Sequence, residues 1–227
     1  MVAWLGGAAF VASLALVAWW YFARLGAVRT GSGWASAVVD VLLITAFAAH
    51  HSVFARDSIK RRLSIIPERM MRSFYVWIAS VLLAAVVLLW RPIGGALYDL
   101  GGAQAAAHAA LQLFGLWIMV RSVAGLDPLE LAGIRQATDT ARADRHEQPL
   151  QVTGPYGWVR HPLYLGWILL LFGAPRMTGD RLTFAAVTSL YLVIAVPWEE
   201  RSLRQSFGDA YARYARRVRW RIVPYVY

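Results

Sequence analysis

The sequence contains no cysteine, and Lys60 is the only lysine among its 23 basic residues. Without a thiol the chain can form neither a disulfide nor a thiolate-ligated metal site. Charged residues of both signs make up only 16% of the chain, and just 13 residues are acidic. Soluble domains carry roughly 25% charged residues, so this composition excludes a single soluble domain.

Apolar residues are 59% of the chain and are gathered in long runs. A helix needs roughly 20 such residues to cross a bilayer. The runs that qualify are 2–23, 34–55, 73–90 and 103–126. Shorter runs at 163–174 and 182–196 predict a last hairpin of tilted or partly submerged helices. The first run lacks a basic segment before it, so we expect a span rather than a cleaved signal peptide.

Most arginines fall on one predicted side of the membrane. The connections 56–72 and 127–161, and the residues after Glu200, are rich in arginine, whereas the opposite connections hold few. By the positive-inside rule we expect these regions and both termini in the cytoplasm, with the protein in a bacterial inner membrane.

The residues after 199 change in pattern. An apolar stripe recurs at spacings of four and three, with arginines between its members, which are Leu203, Phe207, Tyr211, Tyr214 and Val218. This spacing predicts an amphipathic helix, which we expect on the inner leaflet near anionic lipid. The predicted fold class is therefore an all-α integral membrane protein. It would have about six membrane-associated helices (four full spans and a C-terminal helical hairpin) and a cytoplasmic amphipathic C-terminal helix.

Residues 154–166 combine a Gly-Pro turn, an ionisable cluster and a helix start. Pro162 suits the first turn of a helix, and the residue before a proline is pushed to an extended backbone. His161 is thereby held at the mouth of the helix, where free N–H groups favour an anion such as a carboxylate. Tyr164 adds an aromatic wall and a hydroxyl group. The alternative is a proline-initiated helix with a histidine cap and interfacial aromatics.

Glu199 and Glu200 follow the last apolar run. Acids at membrane depth are usually functional or paired. Alternatively, they are solvated first-turn acids or partners of Arg201 or Arg204. Because one hairpin joins them to His161, the two clusters can converge into a pocket with a cation-seeking end and an anion-seeking end. Such a pocket suits a zwitterionic ligand.

Several spaced elements agree in order along residues 150–224: Val159-Arg160-His161-Pro162-x-Tyr164-x-Gly166, Glu199-Glu200-x-x-Leu203 and Phe207-Gly208-x-x-Tyr211-x-x-Tyr214. This pattern resembles the isoprenylcysteine carboxyl methyltransferase and phospholipid methyltransferase superfamily. Its members are integral membrane enzymes that use S-adenosylmethionine.

Further elements resemble one branch, the methanethiol S-methyltransferases, and the broader NnrU-like group. They are His51-Ser52-x-x-Ala55-Arg56, Arg72-Ser73-x-Tyr75, Trp90-Arg91-Pro92-Ile93-Gly94-Gly95, Gly133-Ile134-Arg135-Gln136 and Pro175-Arg176-Met177-Thr178. Met71 stands where that branch often has glutamate before the Arg-Ser pair.

The resemblance implies an S-adenosyl-L-methionine site in a single domain over 1–227, with a substrate-side bundle at 1–126 and a cofactor-binding part at 148–224. It implies contacts from Leu150 and Val152 near the adenine, and from Tyr156, His161 and Tyr164 around the ribose and methionine part. It also implies that Glu199, aided by Glu200, binds the amino group.

For the acceptor, we expect His51 to act as base or proton acceptor, because the thiolate is the nucleophile in thiol chemistry. Arg56 or Arg72 would favour the anion. The alternative for His50 and His51 is an interhelical hydrogen bond. No convincing ligand spacing predicts a metal site, and the basic charge beside apolar spans does not predict nucleic-acid binding.

The resemblance implies methyl transfer to a small thiol, with methanethiol giving dimethyl sulfide as the leading reaction. One alternative is methyl transfer to a lipid-borne acceptor, either a prenylcysteine carboxylate or a phospholipid amine. The other is a non-catalytic NnrU-like membrane protein.

Overall fold

The computed structural model describes residues 1–54, 67–138 and 149–227. The helices are α1 (Val2–Trp19), α2 (Trp34–Phe54), α3 (Glu68–Leu89), α4 (Gly102–Val123), α5 (Pro128–Leu131), α6 (Ile134–Thr138), α7 (Pro162–Phe172) and α8 (Gly179–Arg217). A π-helical turn follows α1 at Trp20–Arg24, and a 3-10 turn covers Gly154–Gly157. Two short strands, β1 (Ala96–Asp99) and β2 (Arg176–Thr178), pair in one small sheet.

Among the described residues, 5 helical segments are long and apolar enough to cross a membrane. They are Val2–Arg24, Trp34–Ser52, Arg69–Leu89, Gly102–Val123 and Gly179–Arg217, while α7 is apolar but shorter. Large apolar side chains such as Leu88 and Leu113 are exposed on these helices. An apolar surface of this extent on long helices is stable in lipid. The prediction of an all-α integral membrane protein is confirmed.

Helix α3 begins earlier than the apolar run 73–90 indicated, and it therefore includes Arg72. Pro67 lies directly before it with an extended backbone (φ −54°, ψ 135°), which ends the helix on that side. The first turn carries the charged residues Glu68 and Arg69. Charged side chains, Arg72 among them, interrupt the apolar pattern, so the run predicted from the sequence began only at residue 73.

Helix α8 joins two elements that the sequence predicted separately, the span 182–196 and the amphipathic helix after Glu199. It passes through Pro197, and its non-helical residue is instead Gly208 (φ 48°, ψ −124°). Proline costs one backbone hydrogen bond, but its fixed φ is compatible with a helix. A positive φ is readily available only to glycine. The chain therefore bends at Gly208 rather than at Pro197.

The chain forms two compact units. Unit 1 takes its described residues from 1–95, 126–146 and 178–180, and unit 2 from 96–125, 147–177 and 181–227. The predicted division into 1–126 and 148–224 remains a prediction.

In unit 1, helix α3 packs against α1 and α2. The indole Nε1 of Trp77 donates to the carbonyl of Val2 at 3.2 Å. The buried Ser73 hydroxyl donates to the carbonyl of Gly133 at 2.6 Å, which fastens the segment between α5 and α6 to the start of α3. Gly133 has a φ of +71°, and a Cβ atom there would lie 2.9 Å from the backbone nitrogen of Ser73.

In unit 2, α4 and α7 approach closely at two glycines. A Cβ atom added to Gly115 or to Gly166 would lie 2.6 Å from the carbonyl oxygen of the other. The amide of Gln112 also donates to the carbonyl of Leu170 at 2.9 Å. A buried apolar cluster joins this pair to α8 and the end of the chain: Ile118, Val159, Leu165, Val196 and Ile222. This packing holds the start of α7 beside the middle of α8.

Candidate functional site

The loop before α7 is tied to the end of the chain by its backbone. The N–H groups of Arg160 and His161 donate to the carbonyls of Trp220 and Arg221 at 2.9 and 2.8 Å. We call residues 218–227 the C-terminal segment. His161 is the residue that precedes α7, with φ −122° and ψ 66°. Its side chain does not cap the helix and is directed instead to the acids of α8.

Glu199 lies in a cluster of aromatic and imidazole groups. The hydroxyl of Tyr164 donates to its carboxylate, and the Nδ1 atom of His161 lies 3.3 Å from its other oxygen. The His161 and Tyr164 rings stack, with centroids 5.4 Å apart. The Glu199 side chain remains 43% exposed. It is thus a partly exposed carboxylate that lies against Tyr164 and His161.

Glu200 has different surroundings although it is the next residue. Its Oε1 atom accepts from Arg160 Nε at 2.7 Å, and the two side chains are only 4% and 8% exposed. Arg221 Nε lies 3.5 Å from the Oε2 atom, and Arg204 lies 4.0 Å away. The chain's own arginines therefore compensate the charge of Glu200.

Arg160 also contacts the last turn of α8 and the residues that follow it, and its Nη1 atom lies 3.5 Å from the carbonyl oxygen of Ala215. Its Nη1 atom donates to the carbonyls of Val218 and Arg219, each at 3.0 Å. The last carbonyls of a helix have no partners within the helix, and a guanidinium can bond several acceptors at once. Arg160 therefore joins the loop before α7, the acid on α8 and the C-terminal segment. We call Arg160, Glu200 and Arg221 the arginine clasp.

Two groups in the loop have shifted pKa values. Burial opposes the charged form of His161, but the hydrogen bonds and charges of the Glu199 and Glu200 carboxylates outweigh it and raise the pKa of His161 above 6.5. Burial and, to a lesser degree, the charge of Glu199 raise the pKa of Tyr156 above 10.0. The Tyr156 hydroxyl donates to the carbonyl of Ser122 at 3.2 Å. The phenol is therefore neutral near pH 7.

Leu150 and Val152 pack against the apolar stripe of α8. Tyr211, Tyr214 and Val218 of the stripe are buried. The Tyr214 hydroxyl donates to the carbonyl of Tyr156 at 2.9 Å. The stripe that the sequence predicted on a lipid leaflet is thus covered by the chain itself, because the segment before the 3-10 turn lies on it.

Unit 1 holds the residues predicted for the acceptor. The Nδ1 atom of His51 lies 2.6 Å from the hydroxyl of Tyr75. The Nε2 atom of His50 lies 3.2 Å from the carbonyl of Tyr75, and the His50 ring stacks on the Tyr75 ring at 5.2 Å. The guanidinium of Arg72 lies 5.4 Å from the same ring and donates to the carbonyl of Leu131 at 3.3 Å. We call His50, His51, Arg72 and Tyr75 the histidine cluster.

The structure thus brings the predicted cofactor residues of unit 2 into one neighbourhood, and it brings His51 and Arg72 together around Tyr75. Arg56 lies outside the described residues. The sequence assigned no site role to Tyr75, and it did not identify Arg160 and Arg221 as the partners of Glu200. A signal for Arg160 was present, since it directly precedes His161 in the same motif. Within the described ranges, no group of three potential metal ligands occurs.

Known proteins resemble this chain over most of its length. Methanethiol S-methyltransferase 1 of Bradyrhizobium diazoefficiens is 35% identical over 80% of this chain and 65% of its own length. Methanethiol S-methyltransferase of Mycobacterium tuberculosis is 37% identical over 80% of this chain and 75% of its own length. Nurim of Xenopus laevis is 28% identical over 68% of this chain and 58% of its own length. The chain thus spans just under two thirds of the first of these relatives.

No protein-family model matches the chain. No solved structure matches it either.

Proposed function

This chain belongs to the methanethiol S-methyltransferase family, and from that premise we propose that it is a membrane methyltransferase that methylates methanethiol to dimethyl sulfide. We propose S-adenosyl-L-methionine as the methyl donor. The single observation that carries the proposal is the partly exposed Glu199 carboxylate, which lies with Tyr164 and His161 at the start of α7. When bound, the donor would supply an electrophilic methyl group on a positively charged sulfur; as that methyl–sulfur bond breaks, the remainder would leave as the neutral thioether S-adenosylhomocysteine.

The chemistry of the unit 2 residues fits that donor. Glu199 is suited to bind the ammonium of its methionine part, because a charged hydrogen bond to an ammonium is stronger than a neutral one. The faces of Tyr164 and Tyr156 attract cations through their ring electrons. Leu150 and Val152 offer an apolar wall for an adenine ring. His161 would contact the methionine part and adjust the charge around Glu199.

We assign Glu200 a smaller part than Glu199. A carboxylate already bonded to Arg160 and close to Arg221 has little charge left for a ligand. The role on the amino group that the sequence suggested for Glu200 remains a prediction.

For the acceptor we propose the histidine cluster. A thiol must lose its proton as its sulfur forms the new S–C bond, and a neutral imidazole can take that proton. The Nδ1 atom of His51 lies 2.6 Å from the hydroxyl of Tyr75, and we assign the proton of the acceptor to the other ring nitrogen, Nε2. Arg72, and Arg56 as an alternative, would stabilise the thiolate. Holding the acceptor in line with the methyl group would supply much of the acceleration.

The protein is an integral membrane protein. We propose a bacterial inner membrane with both termini in the cytoplasm, which the distribution of arginines supports. The donor would then reach the Glu199 site from the cytoplasm. A small apolar thiol could partition through the lipid.

The direct test uses the full chain in lipid nanodiscs with S-adenosylmethionine. Methanethiol, hydrogen sulfide, a prenylcysteine and a phospholipid amine are supplied in turn, and headspace and lipid products are measured. We expect dimethyl sulfide from methanethiol in excess of every other product. Products only from lipid acceptors would replace the proposed substrate with a lipid-borne one.

Binding is measured separately from turnover. S-adenosylhomocysteine should bind the wild-type protein in calorimetric titration. A folded protein that binds neither this ligand nor S-adenosylmethionine would refute the methyltransferase assignment in favour of a non-catalytic membrane protein.

A further inference from the structure

Two adjacent acids on α8 have different partners, and this difference points to a further role. Glu199 is directed to Tyr164 and His161. Glu200 is directed to Arg160 and Arg221 and is buried. Since the two acids are neighbours on one helix, whatever fixes Glu200 also fixes Glu199.

Arg160 meets its acceptors in two directions. Its Nε atom donates to Glu200 at 2.7 Å, and its Nη1 atom donates to the carbonyls of Val218 and Arg219 at 3.0 Å. A planar guanidinium presents its donors in a fixed fork, whereas a lysine presents a point charge. Only arginine can therefore join the acid and the helix end in this geometry.

The C-terminal segment is held by further bonds. Arg221 lies 3.5 Å from Glu200 through Nε and donates from Nη1 to the hydroxyl of Tyr227 at 3.0 Å. The carbonyl of Tyr227 accepts from the N–H groups of Arg221 and Ile222 at 2.8 and 2.9 Å. Ile222 is buried. The segment is thus a closed turn that is fastened at one end by the clasp and at the other by its own backbone.

We infer that Arg160 and Glu200 are positioning residues: they fasten the C-terminal segment to α8 and thereby hold Glu199 and His161 in place for a cationic ligand, without binding that ligand themselves. This inference rests on the proposed function for the identity of the ligand. The attachment of the C-terminal segment to α8 does not depend on the proposed function, because it is a property of the ligand-free protein. His161 connects the two parts, since its Nδ1 atom lies 3.3 Å from Glu199 and its Nε2 atom 3.5 Å from Glu200.

The test compares Arg160→Lys with Glu199→Gln in nanodiscs. Hydrogen exchange of residues 218–227 is measured without ligand, and S-adenosylhomocysteine affinity is measured by calorimetry. We expect Arg160→Lys to speed exchange in the C-terminal segment by about tenfold, because each lost bond lowers the cost of local opening, and to weaken affinity as well. Glu199→Gln should weaken affinity while exchange in the segment stays at the wild-type rate.

A second variant covers the possibility that Arg160→Lys does not fold. Arg221→Gln removes one contact to Glu200 at a more exposed position, and we expect an intermediate increase in exchange. The inference is overturned if both variants that fold exchange at the wild-type rate, or if a loosened segment leaves affinity unchanged. Failure of the wild-type protein to bind S-adenosylhomocysteine would instead refute the proposed function, and exchange in the ligand-free protein would still decide the fastening.

Discussion

The Glu199 site with its arginine clasp in unit 2 and the histidine cluster in unit 1 are built by different interactions. In the first, carboxylates and arginines form several charged bonds, one of them between side chains that are almost fully buried. In the second, His50 and His51 contact the backbone carbonyl and the hydroxyl of Tyr75, and His51 is exposed. The described contacts of the first region are thus mainly ion pairs, and those of the second are hydrogen bonds and ring contacts around Tyr75.

This difference suits the two substrates that we propose. A ligand with a positive charge is bound best by charges that are already in place, because reorganising them on binding would cost free energy. A small neutral thiol offers little to bind, so its site needs mainly a group that accepts a proton. Variants should therefore act on stability and affinity in unit 2, and on turnover in unit 1.

The largest expected effect is on stability. Glu200→Gln should lower the free energy of unfolding by about 3–5 kcal/mol, because removing one partner of a buried ion pair leaves the other charge uncompensated. Thermal unfolding in nanodiscs measures it, with Glu199→Gln as the matched neighbour, which should change the transition little. Equal losses from the two variants would erase the distinction between the two acids.

The next effect is on turnover. His51→Ala should lower the rate of methanethiol methylation by about a hundredfold at pH 6, the lower end of the range for general-base catalysis. The loss should shrink toward pH 9, where the thiolate forms without help. His51→Gln can still bond Tyr75 and should show the same loss. A constant ratio of variant to wild-type rates from pH 6 to 9 would argue against a base at this position.

A smaller effect is expected on donor affinity. Glu199→Gln should weaken S-adenosylhomocysteine binding by about 2 kcal/mol, roughly thirtyfold, the value of a hydrogen bond to a charged group. Calorimetric titration measures this change. Unchanged affinity would show that the Glu199 carboxylate does not bind the ligand. Of the two acids, only Glu200 would then keep an assigned role, in the arginine clasp.

The smallest effect concerns pH. The pKa of His161 is raised, so its charged form stabilises the fold. That contribution is complete below about 6.5, the unfolded value, and is lost as pH rises through the folded pKa. Affinity for a cationic ligand should move in the opposite direction. When His161 loses its proton, the charges of Glu199 and Glu200 are less compensated. Binding of the cationic ligand should therefore tighten, by less than roughly tenfold, as the pH rises through the folded pKa of His161.

Calorimetric titrations between pH 6 and 8 measure this dependence, and binding should release protons. His161→Gln cannot titrate and should show a flatter profile than wild type. If the variant keeps the full pH dependence of wild type, the titrating group lies elsewhere.

The sequence predicted much of the fold because hydropathy and helical periodicity depend on neighbouring residues. The spans and the apolar stripe could be read in this way, and so could the proline-led start of α7 at Pro162. The continuity of α8 through Pro197 could not, because the cost of an internal proline depends on the packing around it. The bend at Gly208 was equally hidden, since nothing in the local pattern required a positive φ there.

The candidate site shows the same limit. His161, Tyr164 and Glu199 could be named from motifs. That Glu200 belongs to Arg160 and Arg221 could not, because residues 160, 200 and 221 meet only after folding. Two adjacent acids look equivalent in a sequence, and only their partners distinguish them.

The continuous course of α8 from Gly179 through Pro197 to Glu199 has a consequence for the setting of the Glu199 site. At 1.5 Å per residue, the helix rises about 30 Å between Gly179 and Glu199, close to the hydrocarbon thickness of a typical bilayer. The same helix that crosses the lipid therefore fixes the depth of the Glu199 carboxylate relative to the bilayer. Lipids with shorter or longer acyl chains would create hydrophobic mismatch along this helix. Donor affinity should then vary with the acyl-chain length of the lipids supplied.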